Sequence, residues 1–439
     1  MIARCHERGR PARIPSHMPP TPELDVAVIG AGAAGLATAI FTRARNPHLR
    51  VALLDGAARP GAKILVSGGS RCNVTNTVVT EADFNGGRRS IVRRVLRGFP
   101  VPATIEFFGR IGVPLREEAG GKLFPESNRS RDVLDALLRE AARVGVSVRA
   151  GHRVIDLRPE GGAFEIASSK GTIVSRTVVL ATGGLSLPKT GSDGWGYGTA
   201  RRLGHTIVPT TPALVPLLLA PDEPGSIHRR IPGVSLPVRL DVRVDGAVAT
   251  RVTGPLLWTH FGISGPAALD VSRHWLRARL ENRRVSVTVS LRPDETFESL
   301  DRAWVALAAS RPRLTVQTAL STNVPSSLAE AVLEHLTIEP SSALSDLMRE
   351  DRRRLVHALV AWPLAITDSR GYSYAEVTAG GVHLTEIDPA SMASRVCPGL
   401  YLVGEILDVD GRIGGFNFQW SWATAHAAGE ALARLEPAL

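Results

Sequence analysis

Hydrophobic residues near the start of this 439-residue chain fall into uninterrupted runs rather than alternating ones. Residues 24–29 (LDVAVI) and 51–55 (VALLD) are apolar and rich in β-branched side chains, which is typical of parallel strands buried on both faces. Between them, residues 33–44 (AAGLATAIFTRA) predict a helix. These segments together predict a strand–helix–strand unit of about thirty residues.

Further along the chain, the same pattern predicts one more helix and several strands. The helix covers residues 131–144, and strands follow around 146–157, 163–167 and 172–181. The last strand runs directly into Thr182-Gly183-Gly184. These small residues would let a ligand come close to the backbone at the carboxyl end of the strand.

Beyond residue 200 the pattern changes to alternation. Residues 234–292 contain segments such as VRLDVRV and VSVTVSL, which favour half-exposed antiparallel strands. Residues 294–362 are largely helical by periodicity, and buried-strand patterning returns only at 375–404.

A glycine-rich turn lies between the first strand and the first helix. In Gly30-Ala31-Gly32-Ala33-Ala34-Gly35, the first glycine permits a tight turn, the second lets backbone approach a pyrophosphate, and the third allows close helix–strand packing. Asp55 stands twenty residues beyond Gly35, at the end of the second strand, where a carboxylate accepts ribose hydroxyls. This context predicts a dinucleotide site.

The patterns together predict an α/β fold with a discontinuous Rossmann-like domain made of residues 23–200 and 368–439. Residues 201–367 form a predicted insertion, with a β part at about 201–292 and a helical part at about 293–367. Residues 1–22 form a predicted disordered tail, within which Met18 is an alternative start.

Composition and charge change this picture only slightly. No apolar stretch approaches the roughly eighteen residues of a spanning helix, which excludes an integral membrane protein. The 52 basic and 42 acidic residues give a net charge of +10, which suggests a polyanionic partner such as nucleic acid. However, all but four basic residues are arginines, a ratio that often reflects GC-rich coding, and the tail contributes +3 through four arginines against one glutamate. We therefore disfavour nucleic acid and expect a small-molecule substrate.

The three cysteines, Cys5, Cys72 and Cys397, are too few and too far apart for a disulfide framework, and no CxxC motif suggests a metal site. We accordingly expect no metal and a cytoplasmic location, since the tail lacks the apolar segment of a signal peptide. No pattern predicts an oligomeric state.

Four segments, taken together, resemble the BaiN/YhiN-like flavoproteins, which are related to the wider fumarate-reductase-like FAD-binding group. They are 61–76 (GAKILVSGGSRCNVTN), 121–138, 257–272 and 375–432, and the resemblance covers most of residues 24–435 in order. It implies bound FAD in a discontinuous domain and an inserted domain of β and helical parts. It also implies FAD-dependent oxidoreductase activity.

The resemblance also implies which residues contact FAD. Lys63 and the loop from Ser67 to Asn73 should lie along the cofactor, although Ser70 stands where the family usually has a third glycine. The full set of implied cofactor-binding residues is Gly30, Gly32, Ala33, Ala34, Gly35, Asp55, Lys63, Ser67, Arg71, Cys72, Asn73, Val154, Ala181, Thr182, Gly183, Gly404, Glu405, Gly415, Phe416 and Asn417.

Three side chains are open to more than one interpretation. Cys72 is a redox cysteine, a covalent flavin anchor or, as we favour, a small residue packed near the cofactor. His260 is a candidate proton donor or a structural histidine. Glu376, which precedes a segment similar to one beside the substrate in fumarate-reductase relatives, is a catalytic candidate or a solvated strand residue.

We predict that hydride passes from NAD(P)H through the flavin to an activated C=C or related small-molecule group. Because no second GxGxxG motif is present, NAD(P)H is expected as a transient reductant. The alternatives are a flavin-dependent amine oxidase that uses O₂ and, prompted by the charge, a flavin-containing RNA-binding or RNA-modifying protein.

Overall fold

The structure, a computed structural model, describes residues 22–221 and 226–437, so the predicted tail at 1–22 with Met18 lies almost wholly outside the described residues. The strands are β1 (Leu24–Ile29), β2 (Val51–Asp55), β3 (Thr75–Asn76), β4 (Phe84–Gly86), β5 (Leu115–Glu118), β6 (Lys122–Pro125), β7 (Ser147–Ala150), β8 (Val154–Glu160), β9 (Ala163–Ser168), β10 (Gly171–Leu180), β11 (Ile207–Ala213), β12 (Leu217–Leu219), β13 (Ser235–Val244), β14 (Ala247–Thr259), β15 (Gly262–Ser264), β16 (Val285–Ser290), β17 (Trp362–Leu364), β18 (Ile366–Ser369), β19 (Val377–Val382), β20 (Leu400–Leu402) and β21 (Val409–Gly411). The helices are α1 (Ala33–Arg45), α2 (Ala62–Ser70), α3 (Arg89–Gly98), α4 (Val101–Arg110), α5 (Ser130–Arg143), α6 (Trp195–Arg202), α7 (Pro266–Leu280), α8 (Phe297–Ser310), α9 (Val316–Ser321), α10 (Ser326–His335), α11 (Arg349–Ala361) and α12 (Phe416–Leu432).

The first sheet has a parallel centre in the order β7-β2-β1-β10, and β20 returns from the far end of the sequence to pair in parallel with β10. Every residue of β1 is buried, as its uninterrupted apolar run predicts. Helices α1 and α12 pack against each other beside this sheet. The predicted Rossmann-like α/β fold is thereby confirmed.

The second large sheet is antiparallel throughout, in the order β17-β16-β13-β14-β15-β12-β18. The alternating pattern of residues 234–292 accounts for β13, β14 and β16, but residues 266–280 form helix α7 instead of a strand. Pro266 occupies the first turn of α7, and its buried Ala267, Val271 and Trp275 recur every four residues. A helical period was therefore present inside the alternating region.

Two large hydrophobic cores accompany the two sheets. One draws on β1, β10, α1 and α12, and the other draws on β13, β16, α7 and α10. Between them, β11 pairs with β19 in a separate two-stranded sheet. The domain boundaries at 200 and 368 remain our proposal, and the separation of the two cores supports them.

Candidate active site

A cavity of about 500 Å³ lies at the carboxyl ends of β1, β2 and β10, which is where ligands bind in open α/β sheets. The structure brings most of the predicted cofactor-binding residues to its walls. These are Gly30, Gly32, Ala33, Ala34, Asp55, Lys63, Ser67, Arg71, Asn73, Val154, Ala181, Thr182, Gly183, Glu405, Gly415 and Asn417.

The three glycines of the β1–α1 turn have different structural roles. Gly30 has φ +104°, and a Cβ there would lie 2.4 Å from the Ala181 carbonyl oxygen; a Cβ on Gly35 would lie 1.8 Å from the Gly30 carbonyl oxygen. Neither position can accept a side chain. A Cβ on Gly32, in contrast, would meet nothing within 4 Å, so this glycine leaves open space in the cavity wall.

Helix α1 begins directly behind Gly32, which caps it without any side-chain hydrogen bond. The first N–H groups of a helix have no partner within the helix, and they attract anions together with the helix dipole. The open space at Gly32 therefore lies where a pyrophosphate would be bound.

Asp55 holds the turn in place from the end of β2. Its carboxylate accepts hydrogen bonds from the Ala31 N–H at 2.7 Å and the Ala57 N–H at 2.7 Å. A carboxylate has about four acceptor positions, so Asp55 can also accept from ribose hydroxyls.

A second helix N-terminus without a side-chain cap, that of α12, faces the cavity. Gly415 caps α12 without a side-chain bond, while the Asn417 side chain is engaged with the backbone of Gly411 at 2.8 and 2.9 Å. With its amide oriented to satisfy its neighbours, Asn73 accepts from the Gly415 N–H at 3.1 Å. Backbone amides, rather than the Asn417 side chain, are therefore available to a ligand here.

A half-buried polar network joins α2 to the segments around β19 and β20. Lys63 forms an ion pair with Glu405 and a hydrogen bond with Ser186. The Glu405 carboxylate also accepts from the Ser186 hydroxyl at 2.7 Å and from the Thr378 N–H at 3.0 Å. The network joins four separate chain segments, and two of its members, Lys63 and Glu405, line the cavity.

The last residues of α2 depart from helical geometry and form a left-handed run. Gly68, Gly69 and Ser70 have φ values of +56°, +67° and +65°. Ser70 thus adopts a conformation that costs a non-glycine residue about 1–2 kcal/mol. Arg71, expected as a donor to the cofactor, lies at the cavity but pairs with Glu118 at 2.9 Å and covers the Phe124 ring.

Four predicted cofactor residues do not line the cavity: Gly35, Cys72, Gly404 and Phe416. The packing role of Gly35 was expected. Gly404 has φ +74°, and a Cβ there would come within 2.8 Å of Ala34, so it serves the packing of α1. Phe416 is fully buried against Phe84. These residues pack behind the walls of the cavity.

Cys72 is buried, and burial raises the pKa of its thiol to about 12. A nucleophilic or redox-active cysteine needs an accessible thiolate. The packing interpretation of Cys72 is thus the one that the structure supports.

His260 lies outside the cavity. Thr259 pairs with Gly262, which makes His260 and Phe261 the two-residue tip of the β14–β15 hairpin, and the histidine is exposed there. A tight hairpin tip directs its side chains outward. His260 therefore does not face the cofactor cavity, as a proton donor would have to do. We do not propose it as a proton donor.

Glu376, by contrast, lines the cavity together with Lys122 and the apolar side chains of Leu214 and Ile413. The Glu376 residue is exposed to solvent. Desolvation by the neighbouring protein raises the pKa of its carboxyl group, and the negative charge of Asp270 adds to the effect. Lys63 and Lys122 act in the opposite direction.

Sequence reasoning missed Lys122, Leu214 and Ile413 at this end of the cavity, and Asp270, which accepts a hydrogen bond from the Ile413 N–H. One available signal was the rarity of lysine: in a chain whose basic residues are nearly all arginine, two of the four lysines, Lys63 and Lys122, line the cavity. Asp270 offered no comparable signal, because its position depends on the unpredicted helix α7.

The arrangement fits FAD. The uncapped start of α1 and the open Gly32 suit a pyrophosphate, Asp55 suits a ribose, and the α12 N-terminus can face the electron-accepting end of a flavin. Within residues 22–221 and 226–437, no cluster of three metal-binding side chains occurs, and no helix there is long and apolar enough to cross a membrane. The fold and site define a dinucleotide-binding flavoprotein.

Comparison with known proteins gives the same class of protein. Residues 24–431 match the family described as "HI0933-like protein Rossmann domain", and the chain belongs to this family, the BaiN/YhiN flavoproteins. It is accordingly an FAD-dependent oxidoreductase.

Individual relatives span almost the whole chain. A 3-dehydro-bile acid delta(4,6)-reductase of Clostridium scindens is 33% identical over 412 residues, covering 93% of this chain and 98% of the relative. A ribosomal RNA dihydrouridine synthase of Escherichia coli is 32% identical over 411 residues, with the same two coverages of 93% and 98%. Among solved structures, a variant of the E. coli quinol fumarate reductase FrdA has 18% identity and a TM-score of 0.48, covering 93% of this chain and 70% of that one.

Proposed function

We propose that this chain reduces an activated carbon–carbon double bond in a small molecule, with NAD(P)H as the transient reductant of bound FAD. The observation that carries the proposal is the Glu376 carboxyl group among apolar side chains at one end of the cavity. Saturating a double bond next to a carbonyl requires a hydride at one carbon and a proton at the other. Bound FAD would supply the hydride.

In this proposal, Glu376 supplies the proton. A general acid works best when its pKa lies near the operating pH, and both desolvation and Asp270 raise the pKa of Glu376 toward that range. After donation, the carboxylate regains its proton from water that enters the cavity. Lys122, on the same wall, can donate a hydrogen bond to the carbonyl oxygen on which negative charge develops.

The names of the similar proteins support the same bond chemistry. A delta(4,6)-reductase saturates ring double bonds, and dihydrouridine differs from uridine by one saturated carbon–carbon bond in the base. What these names share is the reduced bond, not the molecule that carries it.

Stopped-flow absorbance of the flavin in the purified holoenzyme tests the proposal. We expect NADH or NADPH to bleach the flavin rapidly and a conjugated enone to restore its colour much faster than O₂ does. Fast restoration by O₂ with no response to enones would contradict the reductase and favour the amine oxidase.

A second candidate substrate is a uridine in RNA, and one surface favours it. Helix α3 buries Val92, Val95 and Leu96 and exposes an arginine-rich face. Within the part of the chain that the structure describes, Arg93 pairs with Glu81, whereas the remaining arginines of this face have no ion pair. They are Arg89, Arg94 and Arg97. Such a face can bind phosphates.

Two matched double variants separate the candidates. Arg94→Gln with Arg97→Gln removes two charges from α3, and Arg311→Gln with Arg313→Gln removes two exposed charges from the region that follows α8. If RNA is the substrate, only the first pair should weaken RNA binding and lower the salt dependence, by a slope of roughly 1 per lost phosphate contact. Equal RNA binding by both pairs, or no binding at low salt by the parent protein, would remove this candidate.

A further inference from the structure

A short segment, residues 188–194, lies between the carboxyl end of β10 and helix α6 and forms part of the cavity wall. We call this segment the strap. Asp193 is exposed, whereas Ser192 is buried, and a Cβ on Gly183 would lie 2.7 Å from the Ser192 hydroxyl oxygen. The strap therefore reaches from the protein surface to the residues that follow β10. The strap residues that line the cavity are Thr190, Gly191, Ser192 and Asp193.

Few polar contacts hold the strap to the rest of the protein. Leu187, just before it, donates its backbone N–H to another segment at 2.9 Å, and Trp195, just after it, donates its indole N–H to another segment at 3.1 Å. Between these two anchors, within the part of the chain that the structure describes, the only hydrogen bond or ion pair from the strap to another segment joins Asp193 to Arg153. The attachment of the strap along its length thus depends on one pair of charges.

The partner, Arg153, belongs to a different wall of the cavity. It directly precedes β8 and lines the cavity together with its neighbours His152 and Val154. The stem of Arg153 packs against Gly56, where a Cβ would lie 2.8 Å from the arginine Cδ. Gly56 directly follows Asp55, whose carboxylate suits a ribose. The ion pair therefore joins the strap to the ribose-binding wall.

The backbone around Asp193 allows this attachment to open. One oxygen of the Asp193 carboxylate accepts from the Trp195 N–H at 3.1 Å, so the other is left to face Arg153. Gly191 and Gly194, on either side, have φ values of +103° and +81°, which glycine adopts without strain. Residues that absorb the φ/ψ change of a moving segment are often small ones in such positions.

We propose that the Arg153–Asp193 ion pair is a latch: it holds the strap over the adenosine end of bound FAD and has to open for FAD to enter or leave. The two side chains are 47% and 39% exposed, so water can solvate both charges when the pair separates. Exposed ion pairs are weak, which suits a contact that opens and closes rather than a permanent cover. The inference rests on the FAD site and is independent of which bond the enzyme reduces.

Association of FAD with the apoprotein and its release from the holoenzyme, both followed by flavin fluorescence, test the latch. A latch that is closed before and after binding slows both directions equally. Arg153→Gln should therefore raise both rate constants by the same factor, roughly two- to fivefold, and leave the Kd unchanged. Arg158→Gln, which breaks an exposed pair with Asp156 in β8 away from the cavity, is the matched control and should change neither rate. Unchanged rates for Arg153→Gln, or faster release alone, would overturn the inference.

Asp193→Asn separates a latch from simple attraction between charges and FAD. Asparagine keeps an oxygen that can accept from the Trp195 N–H, so the start of α6 is preserved. FAD is an anion, so attraction alone would make Arg153→Gln slow association and Asp193→Asn speed it. The latch predicts faster exchange for both, and the double variant should be no faster than either single variant. Opposite effects on association, or additive ones, would contradict a shared latch.

Salt gives a readout that needs no further substitution. Screening weakens an exposed ion pair, so the latch of the parent should open more readily as salt rises from roughly 0.05 M to roughly 0.5 M. The ratio of the Arg153→Gln exchange rate to the parent rate should therefore fall toward one, because the pyrophosphate contacts are common to both proteins. A ratio that stays constant with salt would overturn the latch. FAD exchange is measured without reductant or enone, so these outcomes are separate from those that test the proposed function.

Discussion

The two ends of the cavity are built in different ways. The phosphate end comes from one continuous stretch, the β1–α1–β2 unit, in which backbone N–H groups, Gly32 and Asp55 form the site. The other end brings Lys122 from β6, Asp270 from α7 and Glu376 from the segment before β19, which are separated by more than a hundred residues at each step.

This difference separates a site that is built mainly from backbone groups from one that is built from side chains. A strand–turn–helix unit can bind the cofactor through its backbone, so it depends mainly on glycines. The proposed substrate end, where Glu376 lies, depends on side chains that distant parts of the chain bring together. Mutations at the two ends should therefore separate cofactor binding from catalysis.

The expected effects of Gly32→Val, Lys122→Gln, Ser70→Gly and His260→Ala decrease in that order, and the largest is at the phosphate end. Gly32→Val would fill the open space in front of α1 and displace the pyrophosphate from the first N–H groups. Loss of about two charge-assisted hydrogen bonds should weaken FAD binding roughly 100-fold. Equilibrium titration of the apoprotein with FAD measures this, and Gly109→Val, at an exposed helical glycine with open space, is the control.

At the substrate end, Lys122→Gln should act on the pH profile and not on FAD retention. Lys122 lowers the pKa of Glu376, so its removal should move the alkaline limb of enone reduction by about half a unit to one unit toward higher pH. Lys170→Gln, which alters an exposed lysine, should have no effect. An unchanged profile for Lys122→Gln, or a shift toward lower pH, would refute an electrostatic origin.

Ser70→Gly tests the left-handed run at the end of α2. A glycine at φ +65° avoids the left-handed strain and should stabilise the protein by about 1 kcal/mol in urea unfolding. Ser168→Gly, in a strand without such strain, should destabilise it. A destabilising Ser70→Gly would show that the serine side chain has a role of its own.

The smallest effect should come from His260→Ala. Because this histidine lies at an exposed hairpin tip away from the cavity, steady-state kinetics and FAD content should match those of the parent. A clear loss of turnover would mean that the hairpin closes over the substrate end.

The same contrast explains how much could be predicted from sequence. Helix α1, strands β1 and β2, and the roles of Gly30, Gly32 and Gly35 follow from local patterns, because a buried strand and a tight turn restrict their own residues. Helix α7 was missed because a few helical positions lay within an alternating region.

Contacts between residues that are far apart in sequence were harder to predict. Asp410 is buried and accepts a hydrogen bond from Arg273 of α7 at 2.9 Å. Nothing near Asp410 in sequence indicates that partner. The same holds for Asp270 and Glu376, whose relation depends on how the returning chain packs against α7.

The most direct test of the account is Glu376→Gln, followed through both half-reactions by flavin absorbance. We predict that the variant retains FAD and is bleached by NAD(P)H at the parent rate, whereas reoxidation by a conjugated enone slows by roughly 10²–10⁴-fold. Loss of FAD, equal slowing of both half-reactions or unchanged reoxidation by the enone would contradict the assignment of the proton donor to this end of the cavity.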